Sequence, residues 1–207
     1  MSKIHISPNA LGTGSVTIAS PNTNSDYEIT LPEFAGSLVT SADLTVATAA
    51  VKIQMSTAVA TTSGSAIDFT GIPAGVNEIV LSLRGVSTNG TSSIMVRLGT
   101  AGGIVSTGYA GGSCRVAATT TFSSSTGIGL LVNTTVAAEV VSADIYIRRQ
   151  GLASNAWNMS YVGHVNTFML FGDGDVALGD ELTQLRLTTS TGTPVFDLGT
   201  AAISWSF

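Results

Sequence analysis

The stretch "NEIVLSLRGVSTNGTSSIMVRLGT", Asn77 to Thr100, decides how this chain is read. Ile79, Leu81 and Leu83 alternate with Val80, Ser82 and Arg84, and beyond "STNGTSS" the residues Ile94, Val96 and Leu98 take up the same alternation. A period of two sends successive side chains to opposite faces of an extended strand, so each run buries one face. Asn89-Gly90 is among the strongest short turn signals, because a type I′ turn needs positive φ at both central positions. The stretch therefore predicts a β-hairpin.

Strand signals continue on both sides. "AIDFTGIPAG", Ala66 to Gly75, reads as a short strand ending in a Pro-Gly turn. "SCRVAATTTF", "IGLLVN", "SADIYIRR" with Ala143, Ile145 and Ile147 inward, and "AWNMSYVGH" with Trp157, Met159 and Tyr161 in step follow, then "TFMLFG", "ELTQLRLTT" and "AAISWSF". Eight or nine short strands with Gly and Ser/Thr turns, and no long helical period, predict an all-β fold, a β-sandwich of jelly-roll kind over residues 63–207.

The first forty residues read differently. Val16 and Ile18 alternate, "PNTNSD" supplies turn residues, and Tyr27, Ile29 and Leu31 return before Pro32 removes a backbone donor. This predicts a small β-hairpin, and because a two-stranded ribbon is marginal in water it must rest on something larger or on copies of itself. Residues 41–62 form a connector in which Val51, Ile53 and Met55 alternate like a strand, while Ser41 and Asp43 allow a brief helical turn.

Composition bounds the function. Only 10% of the residues are charged, hydrophobic residues reach 44%, and the mean hydropathy is +0.41. The charge-free run Val116 to Ala138 is broken throughout by Thr, Ser, Gly and Asn, so no membrane-spanning helix is expected. The opening "MSKIHISPNALGTG" lacks the apolar block of a signal peptide, which predicts a cytosol-like site of synthesis. A compact monomer of this size exposes about 9,000 Å², leaving roughly one charge per 400 Å². An exterior that poorly ionised predicts a Ser/Thr/Asn/Gly carpet together with subunit contacts that hide part of it. The net charge of −5, with no basic cluster beyond Arg148-Arg149, argues against nucleic acid as a partner.

Chemistry-bearing groups are sparse. The acidic cluster "FGDGDVALGDE" holds Asp173, Asp175, Asp180 and Glu181; it reads as a solvated loop, with Asp173 and Asp175 as candidate ligands of a hard cation. His164 lies far from any Cys or second His, and Cys114 reads as a buried structural thiol, so no catalytic residue, cofactor or transition-metal site is predicted. Tyr109, Phe122, Trp157, Tyr161, Phe168, Phe171 and Trp205 stand at strand spacing and read as core, although exposed members of the set would make a sugar platform.

Two segments carry a resemblance. "FTGIPAGVNEIVLSLRGVSTNGTSSIMVRLGT", Phe69 to Thr100, and "LTQLRLTTSTGTPVFDLGTAAISWSF", Leu182 to Phe207, resemble a β-domain of structural proteins from tailed bacteriophages. "VTIASPNTNSDYEITLPEFAGSLVT", Val16 to Thr40, resembles a segment that recurs near the attachment ends of fibre-like phage proteins. The resemblance implies a homotrimeric virion protein assembled in the host cytoplasm. In it Val16, Ile18, Tyr27, Ile29, Leu31, Pro32 and Phe34 form the attachment arm, and a jelly-roll-like head points outward. A decoration (cement or head-fibre) protein bound to the major capsid protein is the first expectation. A tail fibre recognising host cell-surface glycan is the second, and a polysaccharide-cutting enzyme is not expected.

Overall fold

The computed structural model describes residues 53–116, 121–130, 137, 139–151 and 154–207. The expected attachment residues Val16, Ile18, Tyr27, Ile29, Leu31, Pro32 and Phe34, and the connector before Ile53, lie outside these described residues. The described residues belong to one compact unit, Thr40–Phe207.

Its strands in chain order are β1 (Gln54–Met55), β2 (Val59–Ala60), β3 (Ile67–Thr70), β4 (Glu78–Thr88), β5 (Ile94–Thr100), β6 (Gly103–Ile104) and β7 (Tyr109–Arg115). They continue with β8 (Thr121–Ser123), β9 (Ile128–Leu130), β10 (Val141–Arg149), β11 (Ala156–Val165), β12 (Phe168–Ala177), β13 (Gln184–Thr189) and β14 (Phe196–Ser206). No helix occurs among the described residues, so the all-β expectation holds. The large sheet runs β1-β14-β4-β10-β11-β12-β7-β8, with β2 also on β14, and the small sheet runs β3-β13-β5-β6, with β9 on β5. The two sheets stack in a sandwich-like arrangement around one apolar cluster.

The alternation read from the sequence places the core well. Ile79, Leu81 and Leu83 of β4, Ala143, Ile145 and Ile147 of β10, and Trp157, Met159 and Tyr161 of β11 are all buried. Of the residues that alternate with them, Arg84, Tyr146, Asn158 and Ser160 are exposed, and Val80, Ser82 and Asp144 are half-buried. The small sheet is covered more fully: Ile94, Met95, Val96 and Leu98 of β5 are all buried, on both faces of the strand.

The hairpin expected at Asn89-Gly90 does not form. β4 pairs with β14 and β10 in the large sheet, whereas β5 pairs with β13, β6 and β9 in the small one. The turn carries the chain from one sheet to the other. What holds it is non-local: Asn89 N–H donates to the Val195 carbonyl at 3.0 Å, and Val195 N–H donates to Asn89 Oδ1 at 2.9 Å. A Cβ on Gly90 would lie 2.7 Å from Pro194 Cγ. The Asn-Gly pair is thus selected by a contact with a distant segment rather than by a two-residue hairpin. In the connector, Ile53 and Met55 do alternate, but outward, at 65% and 74% exposure, Met55 on the rim strand β1 and Ile53 just before it.

Two phenols tie the sheets together. Tyr109, at the start of β7, accepts the Leu98 N–H from β5 at 2.7 Å and lies 3.2 Å from the Val105 carbonyl, to which it donates. Tyr161 of β11 donates to the Gly129 carbonyl of β9 at 2.9 Å. Each crosses from the large sheet to the small one, so each fixes the sandwich spacing locally.

Beneath them lies the feature that organises the molecule. Along β12, Gly172 and Gly174 face inward and Asp173 and Asp175 outward. A Cβ on Gly172 would meet Tyr161 Cε1 at 2.6 Å, and one on Gly174 would overlap Ile128 Cδ1. Gly111, beside it on β7, would meet the same Ile128 atom at 2.8 Å. The inner positions are empty because β9 and the Tyr161 ring occupy that space. "FGDGDV" is therefore a strand of period two, not the solvated loop expected for Asp173 and Asp175.

Gly174→Ala is expected to cost about 1–3 kcal/mol, the usual penalty for overfilling a close-packed site. Gly179→Ala, where added atoms meet open space, should stay within about 0.5 kcal/mol; urea unfolding of the two variants checks the contrast. Burial pushes the Tyr109 phenol up to about 12, against the opposing pull of the Leu98 bond and of Arg97. The unfolded chain releases this proton near its ordinary value of 10 while the folded chain holds it, so Tyr109 adds stability that is full below pH 10 and is lost as pH rises through about 12. Tyr109→Phe should lower stability at pH 7 by about 1–3 kcal/mol, because the Leu98 N–H is left unpaired. It should also flatten the decline above pH 10, as read by unfolding curves from pH 7 to 11.5.

Candidate functional site

The outer face of the large sheet carries the molecule's most varied side-chain chemistry. Register fixes its layout: Tyr146 pairs with Ser160, Ser160 with Asp173, and Asp173 with Gly112, forming one row across β10, β11, β12 and β7. The next row toward one end is Arg148, Asn158, Asp175 and Ala110; toward the other it is Asp144, Val162, Phe171 and Cys114. All the exposed members are the outward halves of strands whose inward halves build the core.

Two troughs lie on this face and meet at Asp173 of β12. The first, about 390 Å³, runs over β11, with Asn158 and Ser160 on its floor, Tyr146 and Arg148 on one side, and Asp173 and Asp175 on the other. The sides stand two strand spacings apart, about 10 Å. The second, about 600 Å³, spans β12 farther along the strand, from Val162 on β11 across Phe171 to Gly112 and Cys114 on β7 and Thr121 and Ser123 on β8, with Asp173 shared between the two. Here the inward glycine shapes the outside as well: at Gly172 the sheet is so thin that Tyr161 also lines the trough.

Charge in the first trough is unbalanced. The Arg148 guanidinium turns away from the acids to bond Glu78 at 2.6 Å, and its Cζ lies 5.6 Å from the centre of the Tyr146 ring. The side chains of Asn158, Ser160, Asp173 and Asp175 take part in none of the hydrogen bonds among the described residues. For the expected cation, Asp173 and Asp175 do share a face, but no cluster of three or more His, Cys, Asp or Glu suited to a metal occurs among the described residues. A calcium ion takes about six to eight oxygens.

An apolar patch continues from the second trough. Val162, Phe171, Met169 and Val116 are exposed, with Val162 and Phe171 directly opposite one another on β11 and β12. Phe168 and Phe171, read from the sequence as core, are surface residues: Phe171 is one of the odd positions that β12 turns outward, and Phe168 opens the strand at its end, against the Arg115 guanidinium; Tyr109, Trp157 and Tyr161 are core as expected. Trp205 is half-buried, and the side chain of Phe122 lies outside the described set. Cys114, expected to be buried, is half-exposed beside Phe171.

Next to the patch sits a buried ion pair. Arg115 Nη1 bonds Glu139 Oε1 at 2.8 Å, and the guanidinium Cζ lies 4.1 Å from the centre of the Phe168 ring. His164 is exposed and holds its Nδ1 3.1 Å from the Asn166 carbonyl oxygen, while Ser142, its register partner, accepts the Gly85 N–H at 3.0 Å. Arg149, unlike Arg148, is a structural group, donating to the Ser154 carbonyl and to Asn155 Oδ1.

Sequence reading singled out Asp173 and Asp175 but placed Phe171 in the core, and gave no role to Tyr146, Asn158 and Ser160. The signal was present, since these are the outward halves of "SADIYIRR" and "AWNMSYVGH"; what was missing was that β10, β11 and β12 lie side by side.

Glu139→Ala leaves the Arg115 guanidinium without its carboxylate in a buried site and should destabilise by about 3–5 kcal/mol. Replacing both, as Arg115→Met with Glu139→Leu, should recover most of the loss, and thermal unfolding distinguishes the two results. In comparisons with known proteins the chain matches no family model, no curated protein and no solved structure.

Proposed function

We propose that this chain is a structural protein of a tailed-bacteriophage virion. It is a homotrimer that binds the major capsid protein through an N-terminal β arm, residues 1–40, and holds a jelly-roll-like head, residues 63–207, on the particle surface as a decoration protein. The observation that carries this reading is the exposed apolar patch of Val162, Met169, Phe171 and Val116, together with the bare rim residues Ile53 and Met55. Contiguous apolar surface of this kind marks contact sites. In a chain with only 8 basic and 13 acidic side chains, burial against companion protomers is the economical way to remove it from water.

The jelly-roll reading of the head is supported by nested pairing. β3 lies beside β13 and β4 beside β14, so an early pair of strands that crosses between sheets is matched by the last pair. The role is mechanical: three copies locked through such surfaces clamp neighbouring capsid subunits, and the sequence resemblance to phage virion proteins supplies the setting.

Sedimentation equilibrium of the full chain should give three times the 21.0 kDa protomer mass. Phe171→Glu combined with Val162→Glu should shift it toward one. Quantitative mass spectrometry of particles should find hundreds of copies per virion. A handful would move the protein to the tail, and a monomer absent from particles would end the proposal.

A further inference from the structure

The trough over β11 carries a polar chemistry distinct from the apolar patch proposed for subunit contact. Its floor offers an amide, Asn158, and a hydroxyl, Ser160; one side offers two carboxylates, Asp173 and Asp175, and the other an exposed phenol ring, Tyr146. We propose that this trough is a binding site for an uncharged, polyhydroxylated saccharide, with the sugar lying along β11 between the β10 and β12 side chains.

Three observations point to that class of ligand. First, the polar groups are unspent: Asn158, Ser160, Asp173 and Asp175 have no side-chain hydrogen bonds within the described protein, so they are free to serve both donors and acceptors of a ligand. A sugar's vicinal hydroxyls are both, whereas an aliphatic or purely anionic ligand would satisfy only part of the set. Second, the charge is one-sided. The single cation at the trough, Arg148, is held by Glu78, leaving Asp173 and Asp175 uncompensated; this repels uronic or sialic acids and favours neutral hydroxyls, which carboxylates accept strongly. Third, the platform is rigid. Asn158 and Ser160 alternate with the buried Met159 and Tyr161, and Asp173 and Asp175 alternate with glycines locked against Tyr161 and Ile128, so the polar row is fixed by the core beneath it. Tyr146 completes the site with a ring on which C–H faces of a pyranose stack, the usual partner of such hydroxyl contacts.

This site stands apart from the reading of the protein as a virion component, because it depends only on residues within one head. The test uses the full chain and four named probes: maltotetraose, cellotetraose, chitotetraose and mannotetraose, with a tetramer of galacturonic acid as the charged comparison. Saturation-transfer difference NMR should detect at least one neutral tetrasaccharide. Titration should show binding weakened at least tenfold by Asp173→Asn and by Tyr146→Ala, and unchanged by Thr193→Ala on the remote β13–β14 connection. Tetragalacturonate should bind at least tenfold more weakly than the neutral probe, and that gap should narrow in Asp173→Asn. Unchanged thermal unfolding of Asp173→Asn and Tyr146→Ala separates a lost contact from a lost fold. No transfer from any neutral probe, binding indifferent to both trough variants, or a preference for the charged tetramer would each overturn the proposal.

Discussion

The close approach of the two sheets at β12 is the constraint from which the rest follows. Ile128 on β9 and the Tyr161 ring fill the space that inward side chains at 111, 172 and 174 would need, so those positions are glycine. A strand has only two faces, and when its inner face is emptied its outer side chains become its whole chemical content there. For β12 that content is Phe171, Asp173 and Asp175, a row that passes from an apolar trough at Phe171 to a polar one at Asp175, with Asp173 lining both. Glycine lowers strand propensity by leaving nothing to pack, and β12 compensates with neighbours on both sides, β11 and β7, over nearly its full length.

The same logic explains how so little charge suffices. Several of the ionisable groups hold geometry: Arg186 grips Asp68 with two bonds of 2.6 and 2.7 Å across β13 and β3, Arg149 pins the β10–β11 turn, and Arg115 and Glu139 close the end of β7. What remains outside is largely hydroxyl, amide and glycine backbone. Two groups of exposed apolar residues stand out, Ile53 and Met55 at the β1 rim and Val116, Val162, Met169 and Phe171 at one end of the β11–β12–β7 face, while Leu198, Val195 and Phe207 are exposed elsewhere.

Irregularities sit where chain path and twist must be reconciled. β14 shifts register against β4 twice between Phe196 and Thr200, and there Gly199, at φ 98°, lies against Gly85, at φ 63°. A Cβ on Gly199 would stand 2.5 Å from the Gly85 carbonyl oxygen. Two left-handed glycines on adjacent strands let the long pair bend at the end where β4 leaves for the small sheet, which is where Asn89 and Val195 bind each other.

The sequence alone determined the strand class and the inward faces, because a period of two is a property of local backbone geometry: Ile79, Leu81, Leu83, Ile145, Ile147, Trp157 and Met159 are legible without any neighbour. It also made the charge economy visible. Only tertiary structure decided partners. Asn89-Gly90 has the local conformational preference of a hairpin, yet a contact with Val195, more than a hundred residues away, uses it as a crossover between sheets. Likewise "FGDGDV" looks like a loop until Ile128 and Tyr161 are in place, because glycine in a strand is justified only by what packs against it. The polar trough is the extreme case. Tyr146, Asn158 and Asp173 come from three strands, and no local signal states that those strands are neighbours in register.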